Sequence, residues 1–217
     1  EGDFYCNAMS EVSPDSGLSP ERYDKQVLVP FGEYVPYPFR WIPGLSKMVG
    51  PVGNFTSGDH PHIFQIRAKD RKGAVRVGAL ICYEDIFPFL SRDIVSQEVD
   101  FLFVSTNDAW FEREGCAEQH AAHSILRALE LGRPFLRCGN AGWSGWIDAR
   151  GIVREVLENE EGSVYFEGAG LFELLLPERN RTLYVRYGDY FLVVCLSLFS
   201  LSYLIKRKRI DLSEEYG

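Results

Sequence analysis

The sequence predicts an α/β layered domain followed by one apolar helix suited to a membrane. Two observations carry this. From residue 62 to residue 157, short apolar runs alternate with helix-forming stretches, which is the pattern of strands joined through helices. From Tyr190 to Ile205 (YFLVVCLSLFSLSYLI) there is no charge at all, and KRKR follows at 206–209.

Composition bounds the rest. The chain has 217 residues, enough for one domain with a real core. It is 46% hydrophobic and 25% charged, an ordinary balance for a folded domain that argues against disorder. A formal charge of −8 leaves no electrostatic footprint for nucleic acid. Five cysteines (Cys6, Cys82, Cys116, Cys138, Cys195) show no CxxC spacing, against a structural zinc site or a dense disulfide framework. The chain opens at Glu1 on a strand-like stretch (EGDFYCNAMSEV), and the expectation is a fragment whose N-terminal portion is absent.

After that first strand, the segment VSPDSGLSPERYD reads as a loop. Lys25 to Val29 is expected as a short strand closed by Pro30. Gly32 to Asp59 is rich in Pro, Gly and aromatic residues without periodicity; a loop of that length in a compact domain is usually functional. His62–Ala68 and Ala74–Ile81 are expected strands joined by KDRKG, Glu84–Ser96 a helix, and Val99–Ser105 a buried strand. His120–Gly132 is an expected helix, ended by Gly132 and Pro134. Pro134–Gly139, Gly145–Ala149 and Val153–Leu157 complete the strands.

The terminal run competes between two readings, a buried core helix and a membrane span. Sixteen residues of helix rise about 24 Å, short of a hydrocarbon core of about 30 Å. Tyr187, Tyr190 and Tyr203 suit the interface, and basic stems extend a span by snorkelling. The basic cluster directly after the run is a positive-inside pattern. It places the C-terminus in the cytoplasm and the preceding domain across the membrane.

Two segments carry candidate chemistry. In AVRVGALICYEDIFP an apolar strand runs into Cys82 and a helix-compatible stretch follows at once. A thiol at such a turn meets backbone N–H groups, which favour a thiolate and can hold an oxyanion. A buried structural cysteine is the competing reading. In YDKQVLVPFGEYVPYP, Lys25 heads an apolar run and Glu33 follows a Pro-Phe-Gly turn. Either alone reads as a solvated surface charge; together with Cys82 they supply a cation and a carboxylate for acyl transfer. His120 and His123 share a helix face, but no third ligand accompanies them. His60 and His62 read as solvent-facing, and Trp110 and Trp143 as pocket walls or core.

The ordered set LVPFGEYVP, ICYEDIFP, NDAWF and RALELGRPFLRCGNAG resembles the nitrilase (carbon-nitrogen hydrolase) superfamily, and within it most closely the apolipoprotein N-acyltransferases. RTLYVRYGDYF leading into a final apolar segment fits the same family. The resemblance runs from about Tyr5 to Lys208. It implies a nitrilase-like αββα sandwich, incomplete because the N-terminal part is absent, followed by one C-terminal transmembrane helix. The expected divisions are 1–186 for the catalytic portion, 187–206 for the transmembrane helix and 207–217 for a cytoplasmic tail.

By that resemblance Cys82 is the nucleophile of a Glu-Lys-Cys triad and Lys25 its lysine. Glu33 is a second essential glutamate, and Tyr83 and Glu84 support the site, with the Tyr83 backbone N–H and Lys25 holding the oxyanion. No residue matches the triad glutamate, which is expected upstream, so the fragment is expected to be inactive alone. The implied reaction moves an acyl chain from a phospholipid, through a Cys82 thioester, to the diacylglyceryl-cysteine of an apolipoprotein. It needs no cofactor and no metal. The loop from Tyr34 to Phe55 would be a lid for acyl chains. The implied location is the bacterial inner membrane, with the catalytic domain periplasmic. Two alternatives stay open: a nitrilase-type amidase with water as acceptor, and a degenerate membrane-tethered binding domain.

Overall fold

The structure is a computed structural model that describes residues 5–42, 55–67, 73–109 and 115–215, without the side chains of Arg40 and 208–215. It divides into two units, 1–180 and 181–217.

The first unit is built on a six-stranded sheet. Its strands are β3 (Ile63–Arg67), β4 (Ala74–Ile81), β5 (Phe101–Asn107), β6 (Phe135–Asn140), β7 (Gly145–Ile147) and β8 (Val153–Val156), in that spatial order. β4, β5 and β6 run parallel, and the outer pairs are antiparallel. Parallel neighbours need crossovers. Helix α1 (Pro88–Ser96) connects β4 to β5, and α2 (Cys116–Leu131) connects β5 to β6. A central parallel strand is covered on both faces and reads as continuous apolar sequence; β4 (AVRVGALI) is buried almost throughout.

The two faces of β4 have different partners. Val75, Val77, Ala79 and Ile81 pack with Tyr23, Phe64 and Met9. Gly78 points the other way, where a Cβ would stand 2.2 Å from Ile94 Cγ2 of α1. The absent side chain lets α1 lie directly on the sheet. On the Tyr23 face Phe101, Phe103 and Leu176 are only partly buried. The described residues thus hold part of the expected sandwich: one sheet, with the helices α1 and α2 packed against each other and against it.

Four expectations change. A hairpin, β1 (Ala8–Ser13) and β2 (Gly17–Asp24), stands where a loop was expected over 12–24. Tyr23 alone among the β2 residues is buried, so no alternation marks the strand. Conversely, 25–29 is not a strand: the N–H groups of Gln26, Val27 and Val29 donate to carboxylates instead of a neighbouring strand. The helix expected over Glu84–Ser96 breaks in two, a 3-10 turn at Cys82–Ile86 and then α1, because Pro88 occupies a first-turn position that starts a new helix. The helix expected from His120 starts earlier, at Cys116. The KDRKG turn and much of the proposed lid fall outside the described residues. Within its described part, Phe39–Trp41 forms a 3-10 turn, with Phe31 edge-on to Phe39 and Tyr37 edge-on to Trp41.

The second unit holds α3 (Leu183–Tyr187), capped by the Thr182 hydroxyl, and α4 (Tyr190–Glu215). Tyr190–Arg207 is an 18-residue stretch of mean hydropathy 1.5, and none of it is buried. By length and composition this helix is able to cross a membrane.

Candidate active site

Cys82 sits where β4 ends and the 3-10 turn begins, at φ +57°. A side-chain-bearing residue in this left-handed region stores roughly 1–3 kcal/mol of strain and needs its surroundings to hold it there. Glu84 does so. Its fully buried carboxylate accepts four hydrogen bonds: from Ile81 N at 2.7 Å and Tyr23 Oη at 2.8 Å on one oxygen, and from Gln26 N at 2.7 Å and Val27 N at 3.0 Å on the other. Burial raises its pKa more than these donors lower it. Burial and the adjacent carboxylate also hold the Tyr23 phenol well above its ordinary value. Glu84 ties the nucleophile turn to the segment that carries Lys25. Being an acceptor at both oxygens, it offers an oxyanion nothing directly.

Lys25 is 1% exposed, so it is not a solvated surface lysine. Its N–H donates to Asn7 O, and its carbonyl accepts from Gly58 N. Its Nζ donates to Glu33 Oε1 at 2.9 Å and stands 5.2 Å from the centre of the Tyr83 ring. Glu33, also buried, accepts further from Asn7 Nδ2 and from Val29 N, each at 2.8 Å. The Tyr83 hydroxyl donates to Leu28 O at 2.6 Å. Burial, with the Glu33 charge beside it, pushes that phenol up to about 12. The sequence-predicted residues Cys82, Lys25, Glu33, Tyr83 and Glu84 therefore share one connected neighbourhood.

The cavity beside them measures about 720 Å³, within the range of sites for small ligands. Cys82, Ile81, Val29, Pro30, Phe55 and Glu33 line it, together with Asn7. Ser105, Thr106, Asn107 and Asn140 complete the described lining from the ends of β5 and β6. In register Ile81 pairs with Ser105, and Asn107 with Asn140, so the site lies at the carboxyl ends of the parallel strands. Crevices outside those ends are the usual binding places of α/β sheets. Asn140 Nδ2 donates to Asn107 Oδ1 at 2.9 Å. Among the described lining residues Glu33 is the one carboxylate, and it already serves Lys25, Asn7 and Val29. The chemistry this arrangement can perform is nucleophilic attack by a thiol, beside a buried ammonium, in a partly apolar cavity.

Sequence reasoning missed Asn7, Tyr23 and Gln26, whose contacts lie about 26 to 61 residues away along the chain. It also missed the buried group formed by Asp85, Asp108, His120 and Arg137. Asp85 falls inside the helix expected over Glu84–Ser96 with nothing to single it out, and a metal pair of His120 with His123 is set aside for want of a third ligand. In the structure both ring nitrogens of His120 face carboxylates. His60 is exposed, whereas His62 is half-buried edge-on to Phe64, so the expectation for His62 is corrected. Trp143 is buried and does not line the cavity; Trp110 lies outside the described residues.

Comparison with known proteins shows the family. Residues 1–168 match the Carbon-nitrogen hydrolase family. The apolipoprotein N-acyltransferase of Geobacter metallireducens is 38% identical over 193 residues, 89% of this chain and 34% of its own. That of Nitrosomonas europaea is 36% identical over 216 residues, 93% of this chain and 40% of its own. That of Thermotoga maritima is 32% identical, covering 90% of this chain and 36% of its own. The chain thus spans about a third of the length of the curated relatives it matches. Among solved structures, an amidase from Nesterenkonia sp. is similar over 68% of this chain and 49% of its own, at 16% identity and a TM-score of 0.48. With a family match that covers most of its length, the chain belongs to the carbon-nitrogen hydrolase family.

Proposed function

We propose that this chain carries the nucleophile of an N-acyltransferase that moves an acyl chain from a phospholipid to the N-terminal diacylglyceryl-cysteine of apolipoproteins. The observation that carries the reading is the strained Cys82, lining a strand-end cavity together with Glu33, which pairs with the buried Lys25. The name of the relatives gives the acceptor class, an apolipoprotein amine; the phospholipid donor is part of the proposal.

In the first step the Cys82 thiolate attacks the ester carbonyl of the donor. A C–S bond forms, the ester C–O bond breaks, and the departing alkoxide takes up a proton to leave a lysophospholipid. In the second step the acceptor's α-amine attacks the thioester; a C–N bond forms, C–S breaks, and the amine loses a proton. The Lys25 ammonium and the Tyr83 N–H are the donors proposed for the oxyanion in both steps. The proton carrier is a carboxylate still to be located, because Glu33 is committed to Lys25. Passing through a thioester divides one difficult transfer into two easier ones. Both substrates are membrane-borne, and α4 is the proposed anchor that holds the cavity near the lipid surface, with the domain periplasmic and the C-terminus cytoplasmic.

The test supplies the full-length protein with acyl-labelled phospholipid and a diacylglyceryl-cysteinyl peptide. The expected result is labelled amide on the peptide, lost in Cys82→Ala. Release of labelled fatty acid with no amide would instead identify a hydrolase.

A further inference from the structure

Behind the nucleophile turn lies a second buried cluster that the steps above do not use. Asp85 stands three residues after Cys82 and is fully buried. Its Oδ2 accepts from Ser124 Oγ and from Arg137 Nη1, and its Oδ1 lies 3.2 Å from His120 Nε2. Arg137 Nη1 also donates to Ser124 Oγ at 2.7 Å. The other ring nitrogen, His120 Nδ1, lies 2.9 Å from Asp108 Oδ1, which accepts from the Thr106 hydroxyl at 3.0 Å as well. Asp108 directly follows Asn107, and both Thr106 and Asn107 line the Cys82 cavity. One imidazole therefore spans from the turn that bears the nucleophile to a strand end that walls the cavity.

Only a protonated ring donates from both nitrogens. A neutral ring has one N–H, and one of the two carboxylates would face a lone pair. Charge agrees with this: Asp85 and Asp108 balance Arg137 and an imidazolium, while a neutral ring leaves one uncompensated buried charge. Burial pulls the ring's pKa down, but its bonds to Asp108 and Asp85 outweigh burial and Arg137 and lift it to about 9. Among the described residues the charged groups facing the ring are these three, from the nucleophile turn, the end of β5 and β6; its helix neighbour Ser124 is neutral. Asp108 Oδ2 is buried without a hydrogen-bond partner among the described residues, so His120 and the Thr106 hydroxyl hold this carboxylate through its other oxygen. The carboxylate fits there because residue 142 is glycine: a Cβ on Gly142 would stand 2.2 Å from that oxygen.

We propose that His120 is a positioning residue, an imidazolium clamp that joins Asp85 to Asp108 and so sets Cys82 against the Thr106–Asn107 wall. His120 does not line the cavity and acts through those two carboxylates. The proposal rests on Cys82 being the reactive thiol, as proposed above, and is independent of which acyl group it takes.

The test uses the full-length protein in membranes. Cys82 alkylation by iodoacetamide is followed from about pH 6 to 10 by the mass of the tryptic peptide 77–92, with the exposed Cys138 as internal control. In the wild type the rate should show, besides thiol ionisation, a second inflection near pH 9 as the clamp opens. His120→Gln should lack that inflection and form the phospholipid thioester about a hundredfold more slowly near neutral pH, the scale of a misplaced reacting group. Asp108→Asn should move the inflection to lower pH, because the ring loses a neighbouring negative charge. Identical profiles in the three proteins would overturn the proposal. If His120→Gln does not fold, Asp108→Asn decides, and an unmoved inflection overturns the clamp. A wild type that forms no thioester yet keeps the His120-dependent inflection would refute the acyl-transfer reading and uphold the clamp.

Discussion

Glu84 is the side chain on which the geometry of Cys82 depends. Each of its oxygens accepts two donors, so a glutamine amide group would point an N–H at one or two backbone N–H groups whichever way it turned. Glu84→Gln should cost about 1–3 kcal/mol, the penalty for unsatisfied buried groups. Acyl transfer should fall as well, because the turn loses its tie to the Lys25 segment. Chemical unfolding in detergent and the peptide-acylation assay check this; a variant with wild-type values for both would refute the tether. Lys25 raises a related question of burial. Lys25→Met leaves Glu33 buried without its cation, which should destabilise by roughly 3–5 kcal/mol. The double variant Lys25→Met/Glu33→Gln should regain part of that loss while staying inactive. Equal stability of the single and double variants would show that the pair is not energetically coupled. The types Cys, Lys and Glu were legible in two short motifs; the four donors on Glu84 were not, since three of them come from 57 to 61 residues away.

At the scale of elements, the packing of α1 on β4 depends on a missing side chain. Gly78→Ala would drive a methyl into Ile94, and overpacking of this kind costs about 1–3 kcal/mol. Combined with Ile94→Ala the loss should be less than the sum of the single losses, as expected for residues in contact; strict additivity in a double-mutant unfolding cycle would contradict the contact. Helix α4 makes the other prediction at this scale. If Tyr190–Arg207 spans a membrane, Leu198→Arg should impair insertion by about 2.5–3.5 kcal/mol. Alkaline extraction of membranes then recovers the wild type in the pellet and much of the variant in the supernatant, whereas a wild type in the supernatant excludes the span. β4 was readable to the residue, because a buried strand is apolar along nearly all its length, Arg76 being the one charge in AVRVGALI. The β1–β2 hairpin was not, because an exposed ribbon carries almost no hydrophobic signal.

For the whole molecule, the buried charges fix a pH window. The bond from His120 and the nearby Arg137 overcome burial and hold the Asp85 pKa below its ordinary 3.8. Its contribution to stability is therefore present above about pH 3.8 and is lost as pH falls through the lower folded value. The His120 pKa is raised from 6.5 to about 9, so its contribution is complete below pH 6.5 and is lost as pH rises through about 9. Thermal unfolding should show a plateau between these limits, and His120→Gln should remove the alkaline decline. An alkaline limb unchanged in that variant would assign the decline to other groups.

How the motifs come together in space was legible from their order along the chain, which carried the family resemblance. The cluster around His120 was hidden, because it joins a turn, a strand end, a helix and a further strand that share no local pattern. The central claim, that Cys82 carries the acyl group, is tested most directly by incubating the full-length protein with acyl-labelled phospholipid alone and digesting it briefly with trypsin near neutral pH, without thiol reductant. The tryptic peptide 77–92, in which Cys82 is the sole cysteine, should gain the mass of one acyl chain and lose it to hydroxylamine. Label on any other peptide, or an unmodified 77–92 peptide in a protein that still transfers acyl groups, would contradict it.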